Sequence, residues 1–262
     1  MLNQFLPFPI ISPITIPQIF MPLLYQPRIF KPYTAVRAGV TLRSVTARDR
    51  FGNNMSLTVG DNSTRVEHNR ERAAASLGFR QLATQRQVHG NACHVVGPGY
   101  SPAESDALIS DEPGWLLAVS VADCIPVLLF AEQRKVVAAV HSGWRGSQHN
   151  ITGATIAQLL QSYGVAPDEL IAYIGPAASQ CCYEVGNDVA TQFAEQHSRP
   201  LGEGKFLFDN KGVVLAQLFA AGIPTSQIEL DPRCTICAPN FHSYRRDGSH
   251  SGRMFGVIGL VG

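Results

Sequence analysis

The sequence predicts an α+β fold. Strand-like apolar runs and helix-like amphipathic stretches succeed one another without a regular strand-helix-strand beat. The strand-like runs are short, apolar throughout and end on chemically active residues, as buried strands do where they leave a core. Apolar residues make up 45% and charged residues 16% of 262 positions, a balance that supports one large globular unit with its own core.

Taken in order, the first 32 residues are apolar, but prolines at 7, 9, 13, 17, 22, 27 and 32 interrupt every candidate helix. No basic leader or small-residue cleavage site marks a targeting signal, and no stretch reaches the roughly 20 apolar residues of a spanning helix. Residues 1–34 are therefore expected to run extended over a single domain formed by residues 35–262. The protein is expected to be cytoplasmic, without a membrane partner, and monomeric or homodimeric.

Residues 35–46 read as a strand, an Ala38-Gly39 break and a second strand. Residues 62–77 read as a helix, capped by Asp61 or Asn62 and stopped by Gly78. Apolar runs at 115–122, 125–130 and 136–140 predict three buried strands, the first two flanking Asp123-Cys124 and the third ending at His141. Helices follow at 151–163, 186–197 and 211–221, with strands at 170–174 and 228–230.

Charge and cysteine content narrow the function. Twenty-one basic against twenty acidic residues leave a formal charge of +1, which provides no field for nucleic acid. Six cysteines in 262 residues are too sparse for a secreted disulfide framework and suit a reducing compartment.

Three strings carry the chemistry: Arg86-Gln87-Val88-His89-Gly90, Ala122-Asp123-Cys124-Ile125-Pro126-Val127 and Val140-His141-Ser142-Gly143-Trp144-Arg145-Gly146. Two imidazoles and a thiolate make a three-ligand zinc set that leaves the fourth tetrahedral position for water or substrate. Spacing does not show that His89, Cys124 and His141 converge. Thiolate and imidazole equally suit a cysteine hydrolase with Cys124 as nucleophile, acting for example on a peptide or peptidoglycan precursor.

These strings, with Ile174-Gly175-Pro176, Cys182-Tyr183-Glu184-Val185-Gly186, Ser243-Tyr244-Arg245-Arg246-Asp247-Gly248 and Gly252-Arg253-Met254, resemble the laccase-domain, or multicopper polyphenol oxidase-like, family from about residue 38 to 260. The resemblance implies mixed β-sheets packed as a sandwich with helices outside, in α/β/β/α layers. It implies one zinc ion per chain on His89, Cys124 and His141, and a purine nucleoside phosphorylase with adenosine deaminase activity, taking nucleoside and phosphate. Adenosine, inosine, guanosine or methylthioadenosine would be the nucleoside. The N-terminal part departs from the family: Thr46-Ala47-Arg48 runs at once into Asp49-Arg50-Phe51-Gly52-Asn53-Asn54, where members carry a longer glycine-containing loop. Arg48 and Asn54 still match the motif arginine and asparagine.

Phosphorolysis needs guanidinium groups for phosphate. Arg145, four residues beyond His141, is the leading candidate, followed by Arg48, Arg245 and Arg246. Cys124, His141 and Arg145 are the catalytic set, with Arg48, Asn54, Arg145 and Arg245 binding substrate. Asp123 is either a proton shuttle or, preferably, an orienting group for its neighbours. Cys181 and Cys182 read as small packed residues, and the Cys234-x-x-Cys237 pair lacks a second pair to complete a zinc site. Copper is disfavoured, since a multicopper centre needs about ten histidines, many as His-x-His, against eight here and no such pair. A non-catalytic purine-binding module is a further alternative.

Overall fold

The computed structural model describes residues 23–44 and 51–262. Its strands are β1 (Leu24–Tyr25), β2 (Val36–Thr41), β3 (Gln81–Ala83), β4 (Cys93–Val95), β5 (Ala107–Ser110), β6 (Trp115–Val121), β7 (Ile125–Ala131), β8 (Val136–Ser142), β9 (Leu170–Ile174), β10 (Glu184–Gly186), β11 (Ser198–Gly202), β12 (Lys205–Phe208), β13 (Ile228–Leu230) and β14 (Met254–Leu260). The helices are α1 (Ser63–Ser76), α2 (Trp144–Gln148), α3 (Ile151–Tyr163), α4 (Asn187–Ala190), α5 (Asn210–Ala221) and α6 (Tyr244–Asp247). Two mixed sheets dominate, one ordered β1-β2-β14-β6-β3 and one β13-β9-β7-β8-β5-β4, with β10-β12-β11 as a small third.

Alternation along each strand builds the layers. In β14, Met254, Ile258 and Leu260 share an inner core with Leu128 and Phe130 of β7 and Val137 and Ala139 of β8. The intervening Phe255 and Val257 turn outward onto Ala73, Ala74 and Leu77 of α1. The outward residues of the second sheet, among them Val127, Leu129, Ala138 and Val140, pack under Ile156 and Leu159 of α3 and Val214 and Leu218 of α5. The result is the α/β/β/α sandwich. Each fully buried side chain such as Phe130 contributes about 1.5–3 kcal/mol to it.

Helix ends follow their capping residues. Asn62 accepts the Arg65 N–H at 3.0 Å to start α1, and Gly164 and Gly222 close α3 and α5 in the left-handed region.

Two expectations need correction. The stretch 35–44 holds one strand, β2, rather than two. Gly39 does not break it: a Cβ there would sit 2.8 Å from Leu24 Cδ1 and 2.9 Å from Tyr25 O, so the glycine admits β1 alongside. The helix expected at 186–197 stops at Ala190, with one short 3₁₀ turn at Glu195–His197. Beyond it the chain must pair with β12 as β11, and that tertiary pairing overrides local propensity.

Of the proline-rich segment, residues 1–22 lie outside the described residues; residues 23–34 add β1 and bring Phe30 into the inter-sheet core. No helix among the described residues is long and apolar enough to cross a membrane.

Candidate metal centre

The β7–β8 hairpin supplies two members of the cluster. His141 lies opposite Pro126 in the ladder, on the same face as Val137 and Ala139, so the strand's alternation aims its ring between the sheets. Cys124 directly precedes β7, behind Asp123, whose φ of 86° turns the chain sharply out of β6. His89 sits in the loop after β3 at φ 60°, also left-handed.

One buried carboxylate holds these pieces in register. Asp106 accepts the backbone N–H groups of Val88, His89 and Gly90 at 3.2, 3.0 and 2.7 Å. It also receives His141 Nδ1 at 2.8 Å, which leaves Nε2 of that ring for the cluster. Gln87 secures the same loop by bonding both backbone groups of Ser120, donating to its carbonyl at 2.9 Å and accepting its N–H at 2.6 Å.

Together His89, Cys124 and His141 bring one ligand atom each to within 4.8 Å of the others, and the two rings lie edge to face with centroids 4.8 Å apart. Gly143 makes room, since a Cβ there would come within 3.0 Å of Cys124 Sγ and 3.1 Å of His89 Cδ2. Exposure falls from His89 through Cys124 to His141, which is buried, so the cluster opens at its His89 side.

The electrostatics suit a thiolate. Burial alone would raise the Cys124 thiol, but the charge and hydrogen bonds of His141, and then of His89, outweigh it and bring it down to about 6. Burial disfavours the charged His141 ring, yet Cys124 on one side and Asp106 on the other push it up to about 9. Asp106 is lowered despite its burial by His141 and the Gly90 and Val88 amides. Two imidazoles and a thiolate, one ring oriented by a carboxylate on its far nitrogen, form a set that could hold a metal ion.

The cluster lines a cavity of about 700 Å³, within the range of about 300–1,000 Å³ typical of small-molecule sites. Arg70, Arg253, Tyr244, Phe255, Gln85 and Gln87 are among its walls. Arg253 donates to the carbonyls of Ser251 and Gly252 at 2.9 and 3.0 Å, and Arg70 to that of Met55 at 2.7 Å. Both amide atoms of Gln85 are buried without a hydrogen-bond partner.

The candidate substrate residues fall differently. Arg145 is exposed on α2 and stacks on the Trp144 ring at 4.2 Å, outside the cavity wall. Arg245 is also exposed, donating to Glu184 O at 2.7 Å and lying over the Tyr183 ring at 5.4 Å. Asn54 is buried: its side chain accepts the N–H groups of Ser56 and Arg253 and donates to Ser56 O and Asp61. Arg48 lies outside the described residues. Arg246 spends its guanidinium on carbonyls of residues 235, 236, 238 and 241 and on Asp247.

The Asp123 carboxylate takes Thr235 Oγ1, Ser243 Oγ and the Arg245 N–H at 2.7, 3.0 and 2.7 Å. Sequence reasoning passed over Asp106, Arg70 and Gln85. The signal for Asp106 was an acidic residue at the mouth of the apolar run 107–110, and Arg253 stood unused within a matched motif. A second correction concerns the remaining cysteines: Cys181, Cys182, Cys234 and Cys237 gather their sulfurs within 4.8 Å of one another. Cys181, expected to be packed, is exposed, and Cys182 is half-buried.

Residues 37–261 match the family model described as multi-copper polyphenol oxidoreductase laccase. A purine nucleoside phosphorylase of Deinococcus radiodurans is 36% identical over 250 residues, covering 92% of this chain and 93% of that one. An adenosine deaminase, RL5, from an unknown prokaryotic organism is 32% identical, covering 86% and 94%. The crystal structure of the Bacillus licheniformis hypothetical protein YfiH superposes with a TM-score of 0.86 at 29% identity, covering 93% of this chain and 98% of that one.

Proposed function

This chain belongs to the multi-copper polyphenol oxidoreductase laccase family, and from that membership and the His89–Cys124–His141 cluster we propose that it is a zinc-dependent purine nucleoside phosphorylase with adenosine deaminase activity. The observation that carries the reading is the placement of that cluster on the wall of a nucleoside-sized cavity that also presents guanidinium groups. When bound, zinc supplies Lewis acidity at the coordination position that three protein ligands leave open.

The chain's own residues do the rest. Arg70 and Arg253 offer charge and N–H donors to phosphate inside the cavity, the role first expected of Arg145. Tyr244, exposed at the cavity wall, provides aromatic surface for a purine ring. The unpartnered amide of Gln85 matches the adjacent donor and acceptor of a purine edge. Asp106 keeps His141 in one tautomer by holding its Nδ1.

The test is to incubate the purified protein with inosine and with adenosine, with and without phosphate and with and without a chelator. Hypoxanthine and ribose 1-phosphate appearing from inosine only with phosphate, ammonia released from adenosine, and loss of both on zinc removal are the expected results. Turnover indifferent to phosphate and to chelation would overturn the proposal.

A second reading has its own observation. Cys124, His141 and Asp106 stand in the order nucleophile, base and orienting carboxylate, with the thiol lowered to about 6. A hydrolase of this kind would keep full activity in chelator and lose it in Cys124→Ser.

A further inference from the structure

The four cysteines away from the cavity come from two turns. Cys182 and Tyr183 both donate their N–H groups to Ser179 O at 3.0 and 2.9 Å, closing the first turn. Ala238 donates to Cys234 O at 3.0 Å, closing the second. An isolated parallel bridge between Ala177 and Cys234, with Thr235 N–H on Ala177 O at 3.1 Å, sets the turns side by side. The four sulfurs consequently lie within 4.8 Å of one another, with Cys237 Sγ 3.7 Å from that of Cys181 and 2.9 Å from that of Cys182. With zinc–sulfur bonds of about 2.3 Å, the corners of a tetrahedral tetrathiolate are about 3.8 Å apart. The Cys181–Cys237 edge already has that length, and the Cys182–Cys237 edge, at 2.9 Å, would open by about 0.9 Å to admit the ion.

The backbone around one sulfur favours a thiolate, whereas burial pushes the Cys181 thiol up and the Cys237 hydrogen bond pushes the Cys182 thiol up. Against the effect of burial, the backbone N–H groups of Ser179, Cys237 and Ile236 point at Cys234 and stabilise its charged form. The buried Lys211 ammonium is tied to the carbonyls of Asp231 and Arg233 at 2.9 and 2.8 Å; burial lowers it, against the charge of Asp231 first and then of Cys234. It is a fixed cation beside a site that carries excess negative charge once four thiolates gather there.

The geometry points to a second metal site, a tetrathiolate of Cys181, Cys182, Cys234 and Cys237 that takes one zinc ion in a structural role. Each thiol that is protonated beforehand gives its proton to solvent as its sulfur–zinc bond forms, and no electron changes hands. Four protein ligands close the coordination sphere and leave no position for substrate. The ion would lock the loop at 234–238, whose Thr235 hydroxyl donates to Asp123 beside Cys124. This assignment is independent of which reaction the cavity performs.

The test is zinc counting by mass spectrometry on the full-length protein purified under reductant without added metal. Two zinc ions per chain are expected, falling to one in Cys181→Ser/Cys237→Ser and to one in His89→Ala. His89→Ala reloaded with cobalt(II) should show the intense sulfur-to-metal charge-transfer absorption of a tetrathiolate. Wild-type protein needs no mutant to decide the matter, since its second zinc should protect the four thiols from a thiol reagent until a strong chelator is added. One zinc or none per wild-type chain, with these thiols freely reactive or joined in a Cys182–Cys237 disulfide, would overturn the assignment.

Discussion

Replacing Asp106 with asparagine probes the centre without touching a ligand. In the native arrangement Oδ1 takes His141 Nδ1 and the His89 N–H, while Oδ2 takes the Val88 and Gly90 N–H groups. Asparagine retains one acceptor oxygen and presents an NH₂ group in place of the other, so one of these two pairs of donors loses its acceptor. If the amide oxygen stays with His141, the Val88 and Gly90 amides face the NH₂. Hydrogen bonds to charged groups are worth about 1.5–3 kcal/mol each. Val88 is exposed and Gly90 half-buried, so water recovers part of the loss, and a stability deficit of about 2–3 kcal/mol is expected. Mutating such an outer-shell partner costs metal affinity about 10–100-fold, and even with the amide oxygen kept on His141 the ring loses its anionic acceptor. Metal affinity by competition with a chromophoric chelator and stability by urea unfolding of the chelated protein measure the two effects. The pH sign is also set. Because the folded Asp106 carboxyl is lowered, its stabilisation is complete above its unfolded value of about 4 and is lost as pH falls through the lower folded value. Asp106→Asn should lack that acid-sensitive component. Unchanged metal affinity with unchanged stability would refute the positioning role.

In chelated protein, Cys124 should alkylate as a thiolate down to about pH 6, because a depressed thiol stays ionised until pH falls through its folded value. Site-resolved mass spectrometry of the alkylation rate against pH checks this, and His141→Ala should move the midpoint upward. Gly143→Ala places a Cβ 3.0 Å from Cys124 Sγ and should lose metal at the His89 centre while far-UV circular dichroism stays native; retained metal would mean that the loop gives way. Arg253→Met should raise KM for phosphate by at least about tenfold, the value of one lost charge-assisted bond of about 1.5–3 kcal/mol. Arg145→Ala should leave that KM unchanged, and steady-state kinetics at varied phosphate decide between them.

The helices at 62–77 and 151–163 were legible because capping chemistry is written in neighbouring residues, Asn62 before the first and Gly164 after the second. The strands around Cys124 and His141 were legible because buried strands read as continuous apolar runs. By contrast, β4 and β10 each have three residues and owe their existence to partners far along the chain, so no window of local sequence contains their cause. The same division runs through the candidate site. His89, Cys124 and His141 announced themselves by residue type, whereas Asp106 does its work through backbone amides 16 to 18 positions away, a relation that spacing does not encode.

The cysteines make the physical reason explicit. A Cys-x-x-Cys turn offers two sulfurs in one reading frame and appears incomplete when no second pair follows. Adjacent cysteines appear unable to share an ion, because neighbouring side chains diverge in any regular element. Residues 179–182 are neither helix nor strand but a turn pinned twice on Ser179 O, and there the two thiols converge on Cys237. That convergence depends on the Ala177–Cys234 bridge, which forms only once β9 and β13 pair in parallel and bring their exits together. The sheet that aims His141 into the cavity therefore also assembles the thiolate cage behind Asp123, and a change that loosens the cage should reach Cys124 through Thr235 before it reaches the core.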